Sequence, residues 1–173
     1  MKKNSYYYNI ILTISSLFCI IVVLQGCSYS FTGASVPDHI KTINVATVND
    51  NSGYGDPRYK TRMTNVLIEE FQNDNSLELV ERRGDSRLTV TITSISDRTK
   101  TLNPGEIETE RQIVVSISAE YYDSVKRKEF WKKSFSDTQV YELTDVQTNR
   151  DVAINAALEN IADDVLLAVV SGW

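Results

Sequence analysis

The chain has almost no cysteine, histidine or proline: two, one and three residues among 173. Cys19 lies inside an apolar stretch near the N-terminus and Cys27 closes it, so no pair is left to build a disulfide framework or a Cys-rich zinc site. With His39 as the single histidine, a Ser/His/Asp triad, a thiol nucleophile with its base or a His-ligated metal lacks the necessary parts. His39 stands in Val36-Pro37-Asp38-His39 and reads as a loop residue rather than a general base. No enzyme, no metal site and no cofactor is therefore expected. Positive charge is also in deficit, with 18 Lys and Arg against 23 Asp and Glu, a net −5 that argues against generic nucleic-acid binding. Low-complexity runs and repeats of about 20 to 50 residues are missing as well.

What is present begins with an export signal. Lys2 and Lys3 precede an apolar stretch from Ile10 to Leu24, which Thr13, Ser15 and Ser16 interrupt and which falls short of the roughly 20 residues of a membrane-spanning helix. The stretch ends on Leu24-Gln25-Gly26-Cys27, the pattern of a bacterial lipobox, with Gln25 at a position more often Ala or Ser. Residues 1–26 are thus expected to be a removed signal peptide, taking Tyr6-Tyr7-Tyr8 with them. Cys27 is expected to become the first mature residue, carrying a diacylglycerol and an N-acyl lipid. Each buried methylene of an acyl chain contributes about 0.8 kcal/mol, so two or three chains hold a protein on a membrane. Ser28 follows where an Asp would favour the inner membrane, and no acidic cluster comes next. The expected location is the outer membrane, lipid-anchored and facing the periplasm.

Removal of 26 residues from 173 leaves 147, and because two lysines and no acid leave with them, 16 cations face 23 acids, a net −7. That length suits one domain, with residues 27–38 as a lipidated tether and 39–173 as the folded body. Ile40 to Val48 alternates as a first strand. Asn49 to Asp56 is dense in turn formers, and Asp56-Pro57 supplies an N-cap followed by proline at the first helical position. The helix so opened places Tyr59, Met63, Val66, Leu67 and Phe71 on one face. Strands are predicted at Leu77 to Val80 and Leu88 to Asp97, the latter with Leu88, Val90 and Ile92 on one face and Thr89, Thr91 and Thr93 on the other. A further strand runs from Ile107 to Tyr121, apolar mainly at odd positions and polar at even ones. After a turn at Asp123-Ser124, Lys128 to Val140 forms a last strand carrying Phe130, Trp131 and Phe135, and its pattern leaves both choices of buried side open. A closing helix, capped by Thr144 with Gln147 three residues on, aligns Ile154, Ala157, Leu158, Ile161, Val165 and Ala168 and stops at Gly172. This order predicts an α+β two-layer sandwich: a mixed, mostly antiparallel sheet of four to five strands with two helices on one face.

The start of the mature chain, Gly26-Cys27-Ser28-Tyr29-Ser30-Phe31-Thr32-Gly33-Ala34-Ser35-Val36-Pro37 followed by Lys41-Thr42-Ile43, resembles the LptE family of lipopolysaccharide-assembly lipoproteins. The family's order of tether, strand, helix, several strands and closing helix agrees with the order read from periodicity. The resemblance implies a function: partnering and plugging the LptD-like outer-membrane β-barrel, and binding lipopolysaccharide on its way to the outer leaflet. A wide barrel has a polar, water-filled lumen that a compact, polar-surfaced domain could occupy.

Lipopolysaccharide carries anionic phosphates, which cationic side chains bind through charge-assisted hydrogen bonds, arginine in bidentate fashion. On charge alone two clusters qualify: Arg82, Arg83 and Arg87 around one turn, and Lys126, Arg127 and Lys128 with Lys132 and Lys133 on a hairpin. For either cluster, solvated charge at the end of a sheet is the more ordinary explanation. Gly53-x-Gly55 lies between strand and helix as a phosphate loop would, but Arg58 stands where the third glycine belongs and no Lys-Ser/Thr follows, which favours a turn. Glu106, Glu108 and Glu110 share the polar side of a strand, where solvation or a partner contact accounts for them better than paired-carboxylate hydrolysis. The stretch Val45 to Arg83 is also similar to lipoproteins of curli-type secretion pores. An oligomeric envelope complex is therefore the alternative, although the 106–140 region that would supply a membrane hairpin is too charged to face lipid.

Overall fold

The computed structural model describes residues 36–100 and 108–171. The signal peptide 1–26, Cys27, most of the tether, Glu106 and Gly172 lie outside the described residues. The chain runs through β1 (Thr42–Val45), β2 (Asn49–Asp50), α1 (Pro57–Asp74), β3 (Glu78–Leu79), β4 (Ser86–Thr99), β5 (Glu110–Asp123), β6 (Lys128–Glu142) and α2 (Val146–Ser171). The sheet is ordered β3-β1-β4-β5-β6. β2 pairs with β4 as well, farther along the edge that β1 occupies. β4, β5 and β6 form a long antiparallel meander, whereas β1 and β2 pair parallel with β4, and β3 parallel with β1.

The expected first strand, Ile40 to Val48, is shorter than its hydrophobic pattern suggested. Chain pairing breaks after Val45, because the Val48 amide donates to Thr64 Oγ1 on α1 instead of to the sheet. Asn49 and Asp50, read as loop, rejoin β4 opposite Thr91 and Ile92. The glycine turn that follows holds no phosphate-loop geometry. Asp50 Oδ1 accepts from the Ser52 amide at 2.8 Å and Ser52 Oγ from the Tyr54 amide at 3.1 Å, while Gly53 and Gly55 take φ of 72° and 84°.

α1 begins as its sequence demands. Asp56 accepts from the Arg58 amide at 3.0 Å, and Pro57 fills the first helical position, where a missing N–H costs nothing. It ends on Asn75, left-handed at φ 55°, whose amide reaches back to Phe71 O. Tyr59, Met63, Val66, Leu67 and Phe71 are all buried, as the spacing required. α2 is capped one residue later than the Thr144 reading: Asp145 O accepts from the Asn149 amide, while Thr144 Oγ1 takes the Asn149 side chain. Its buried stripe includes Ile154, Ala157, Leu158, Ile161 and Val165, joined by Ala153, Ala162, Leu166 and Val169. Ala168 is only half-buried.

Both helices cover one face of the sheet. Leu88, Val90 and Ile92 of β4 and Ile113, Val115, Ile117, Ala119 and Tyr121 of β5 point into this layer. A register shift between Ile92 and Ser94 inserts one extra residue in β4, so Ile95 rather than Ser94 faces inward beyond it. The open choice for β6 resolves through its partners: Trp131 lies opposite Tyr121, Phe135 opposite Ile117 and Gln139 opposite Ile113, so the odd residues face the helices. As an edge strand β6 leaves Trp131 and Phe135 half-buried, packed against the core. Phe130 is the extra residue of a second irregularity opposite Tyr121 and Tyr122, and it stacks on Tyr121 with ring centroids 5.1 Å apart.

The extra residue in β4 also turns Asp97 toward a knot of charge that joins four elements. Arg111 Nε lies 2.9 Å and Arg150 Nη1 3.6 Å from its carboxylate, and the Tyr141 hydroxyl donates to it at 2.7 Å. Burial first, and then the bond to Asp97, push the Tyr141 hydroxyl up to about 12, so it remains a donor throughout the neutral range. Glu108 and Glu110 are engaged in ion pairs, with Arg111 at 3.7 Å and Lys100 at 2.5 Å. Asp97→Ala leaves two half-buried guanidiniums and a phenol without their shared acceptor. It should lower the unfolding free energy by about 2 kcal/mol or more in chemical denaturation. A loss within about 0.5 kcal/mol would mean the knot is solvated rather than structural.

Candidate functional site

At the opposite end of the meander, the turn between β3 and β4 and the turn between β5 and β6 lie side by side, linked by the Ser124 amide donating to Asp85 O at 2.8 Å. Neither turn touches the other in sequence, and their adjacency follows from the antiparallel pairing of β4 with β5, which sets Ser86 opposite Asp123. Between them opens a pocket of about 650 Å³ lined by Asn44, Arg83, Gly84, Asp85, Arg87, Ser124, Val125 and Arg127. One arginine from each flank of the first turn and one from the second thus converge on a single concavity. Among the described residues none of these three arginines takes part in an ion pair.

The remaining cations spread away from it. Arg82, Lys126 and Lys128 are exposed on the same two turns without lining the pocket, and Lys128 Nζ lies 6.0 Å from the Phe130 ring centre. Lys132 and Lys133 do not join the site. Lys132 extends over the uncovered face of the sheet, 3.6 Å from Glu120, and Lys133 lies against the Trp131 ring on the opposite face. Alternation along a strand separates these neighbours, a consequence that charge counting along the sequence overlooks.

The two acids nearest the pocket are occupied by the fold itself. Asp85 Oδ2 accepts from the Lys41 and Thr42 amides, both at 3.0 Å, and the Asp85 amide donates to Thr42 Oγ1 at 2.8 Å. Asp123 is fully buried and accepts from the Lys126 amide at 2.8 Å while bonding His39 Nε2, also at 2.8 Å. His39 is a turn residue as expected, but it also fastens the segment before β1 to the end of β5, a contact across 84 positions that no local pattern announces. With both carboxylates committed elsewhere, neither neutralises the three arginines that line the pocket.

Backbone geometry sets the arginines apart further. Arg83 and Arg127 both take φ of 55°, a left-handed conformation that costs a residue with a Cβ about 1 kcal/mol relative to glycine. Glycine itself occurs between them in the pocket at Gly84, where a Cβ would come within 2.8 Å of Asn44 N and Ser86 O. Both left-handed residues lie in the tight turns that border the pocket, so the turn backbone places their side chains there. Arg87 lies over the Tyr122 ring at 5.8 Å, which restrains its guanidinium at the pocket wall.

The Lys41 amide, and after it the Thr42 hydroxyl and amide, hold the Asp85 carboxyl below its usual range. For Asp123, burial pulls upward but the Lys126 amide and His39 outweigh it, leaving a net decrease. Both groups therefore titrate lower folded than unfolded. Their stabilisation is complete above the unfolded value of 3.8 and is lost as pH falls through the lower folded values. Thermal unfolding should accordingly turn downward below about pH 4, and an Asp85→Asn, Asp123→Asn double variant should melt lower at neutral pH with a shallower acid limb. Identical acid limbs would remove these carboxylates from the account.

Among the described residues no group of His, Cys, Asp and Glu could hold a metal ion, and no helix is long and apolar enough to cross a membrane. No curated protein matches the chain in sequence. Solved structures share its fold at low identity. A lipoprotein B from Nitrosomonas europaea superposes with a TM-score of 0.57 at 11% identity, covering 86% of this chain and 92% of that one. The rare lipoprotein B of Shewanella oneidensis gives 0.50 at 15%, covering 72% and 92%. A PelC dodecamer from Paraburkholderia phytofirmans gives 0.54 at 11%, covering 80% and 94%. The sequence model described as LptE, Lipopolysaccharide-assembly, matches residues 40–169, which span β1 to the last turns of α2 and hold the arginine pocket together with the knot around Asp97; the chain belongs to the LptE lipopolysaccharide-assembly family.

Proposed function

We propose that this protein is a non-catalytic outer-membrane lipoprotein, anchored through lipid on Cys27 after removal of residues 1–26, with residues 27–38 as tether and 39–173 as the working domain. It partners and plugs an LptD-like β-barrel and presents Arg83, Arg87 and Arg127 to the phosphates of lipopolysaccharide. The convergence of these three guanidiniums from two separate turns is the observation that carries the ligand assignment. Phosphate oxygens suit the planar fork of arginine, and a concave arrangement allows several forks to reach one phosphorylated headgroup. Arg82, Lys126 and Lys128 on the same turns add long-range attraction, which salt screens within about 8 to 10 Å at physiological ionic strength. Lys132 and Lys133, on two different faces of β6, have no part in this pocket.

Family membership supports the assembly role, and the lipobox supports the anchor. The oligomeric alternative retains one supporting observation, since PelC, which shares this fold, forms a dodecamer. An assembly made only of this chain would elute at many times the monomer mass, whereas the proposed complex contains one copy with one barrel.

The triple variant Arg83→Glu, Arg87→Glu, Arg127→Glu should bind purified lipopolysaccharide at least about tenfold more weakly, with much less dependence on salt. Arg127→Gly separates charge from folding: it should weaken binding while leaving stability unchanged or raised by up to about 1 kcal/mol, because glycine accepts the left-handed backbone freely. Undiminished binding by both variants would exclude the pocket. Cys27→Ala should move the protein from the membrane fraction to the soluble one, and continued membrane recovery would refute the anchor.

A further inference from the structure

β6 closes the sheet on one side, and among the described residues no strand pairs with its outer edge. The opposite edge belongs to β3, which is only two residues long. β6 runs for 15 residues without a proline, and its irregularity lies near its start, at Phe130. Alternate residues of such a strand turn their backbone N–H and C=O groups outward, a ready template for another strand. Edge lysines commonly guard against that pairing, but here both are held on their own chain. Lys132 Nζ lies 3.6 Å from Glu120, and Lys133 Nζ 5.1 Å from the Trp131 ring centre.

The side chains of this strand are complementary to themselves when one copy is turned end for end against another. Centred on Phe135, an antiparallel pair of β6 strands sets Ser134 opposite Ser136 of the second copy, Lys133 opposite Asp137, Lys132 opposite Thr138 and Trp131 opposite Gln139. Symmetry makes each of these pairs occur twice, so two Lys133–Asp137 pairs form and no like charges meet. Faces match as well. Trp131, Lys133, Phe135, Asp137 and Gln139 share the helix side, while Ser134 and Ser136, which continue the hydroxyl rows of Ser118 and Ser116, share the open side. Sliding the centre by one residue, to Ser134 or Ser136, puts Lys133 opposite Phe135 or Gln139 and removes both ion pairs. Sliding it by two superposes Lys133 on Lys133 or Asp137 on Asp137. Among registers centred within two residues of Phe135, only that one joins opposite charges without opposing like ones.

We infer that the outer edge of β6 is a dimerisation edge, on which a second copy of this chain pairs antiparallel in the Phe135 register. Trp131 to Gln139 lie beyond the irregularity at Phe130, so alternation is unbroken along the paired stretch. Its backbone groups form about eight to ten hydrogen bonds, the number found in an ordinary protein interface. A second feature fits the same register. At the far end of β6 a groove of about 250 Å³ opens between the strand and α2, where Val140 and Val152, 48% and 63% exposed, stand beside Ala153 and Ala156. The register brings the half-buried Phe130 and Trp131 of the second copy to that end, where apolar surface is otherwise left to water. This dimer is a state of the protein without its barrel, beside the one-to-one complex proposed above. It leaves the arginine pocket open, because no residue of β6 lines it.

The test is sedimentation equilibrium of the mature, lipidated protein in detergent over a range of concentrations, with no barrel present. Wild type should titrate between monomer and dimer. Lys133→Asp and Asp137→Lys each place like charges opposite one another at two symmetric positions, and each should raise the dimer Kd at least about tenfold. The double variant Lys133→Asp, Asp137→Lys exchanges the charges and should return the Kd to within about threefold of wild type. Circular dichroism and melting check that the variants fold. The register has its own readout, because residues directly opposite one another come within about 4.5 to 5.5 Å, close enough for a disulfide. A mixture of the Ser134→Cys and Ser136→Cys variants should therefore cross-link on oxidation, whereas either variant alone should not. If a charge variant loses its fold, this pair of cysteines decides. A monomer at every concentration up to about 100 μM overturns the inference. So does a dimer or larger assembly that ignores both single charge changes, or one in which the cysteine mixture fails to cross-link.

Discussion

Everything in this molecule depends on covering one face of a single sheet. Two helices seal the side on which Leu88, Val90, Ile92, Ile113, Val115, Ile117 and Tyr121 stand, and each fully buried aliphatic or aromatic side chain there contributes about 1.5 to 3 kcal/mol. Strand alternation then leaves every other position outside the core. Half of the meander is thereby released from the demands of folding, and that half carries the hydroxyl rows, while the strand ends carry the arginines. Core and open-face positions are interleaved residue by residue along the same strands.

Much of this division was legible in the sequence because it is local and periodic. All five residues assigned to the inner face of α1 are buried, and the odd-numbered face of β5 is as the alternation indicated. Legibility failed where geometry interrupts the period. Thr93 reads as the third member of a threonine face, yet it stands at the irregularity that reverses β4. Phe130 and Trp131 are adjacent and both half-buried, which no period of two allows, and only the irregularity opposite Tyr121 and Tyr122 explains it. Asn49 and Asp50 are turn formers by type and strand residues by position, because two backbone pairings with β4 outweigh weak preference.

Long-range electrostatics was the least readable level. Two basic clusters could be seen in the sequence, but not that Arg83, Arg87 and Arg127 meet while Lys132 and Lys133 part to opposite faces. Nor could the bond between His39 and Asp123, or the meeting of Asp97 with Arg111 and Arg150, be inferred from spacing. Charged partners far apart in sequence leave no periodic trace. The two ends of the sheet are nonetheless built on different logic. At one end opposite charges are matched in a half-buried knot, and at the other Asp85 and Asp123 are engaged by backbone amides and His39 rather than by the arginines beside them.

The extra residue in β4 has a further consequence, for the way such a chain can vary. Because it changes the parity of the strand, everything from Ser94 to Thr99 depends on the number of residues before it rather than on their identity. Replacement of one hydroxyl residue by another on the open face is mild, but loss or gain of a single position near Thr93 would turn Ile95 and Asp97 outward and bring Ser94 and Ser96 into the core. Side chains on the open face can therefore change with little effect on the fold, while the count of residues in this strand is the quantity least free to drift.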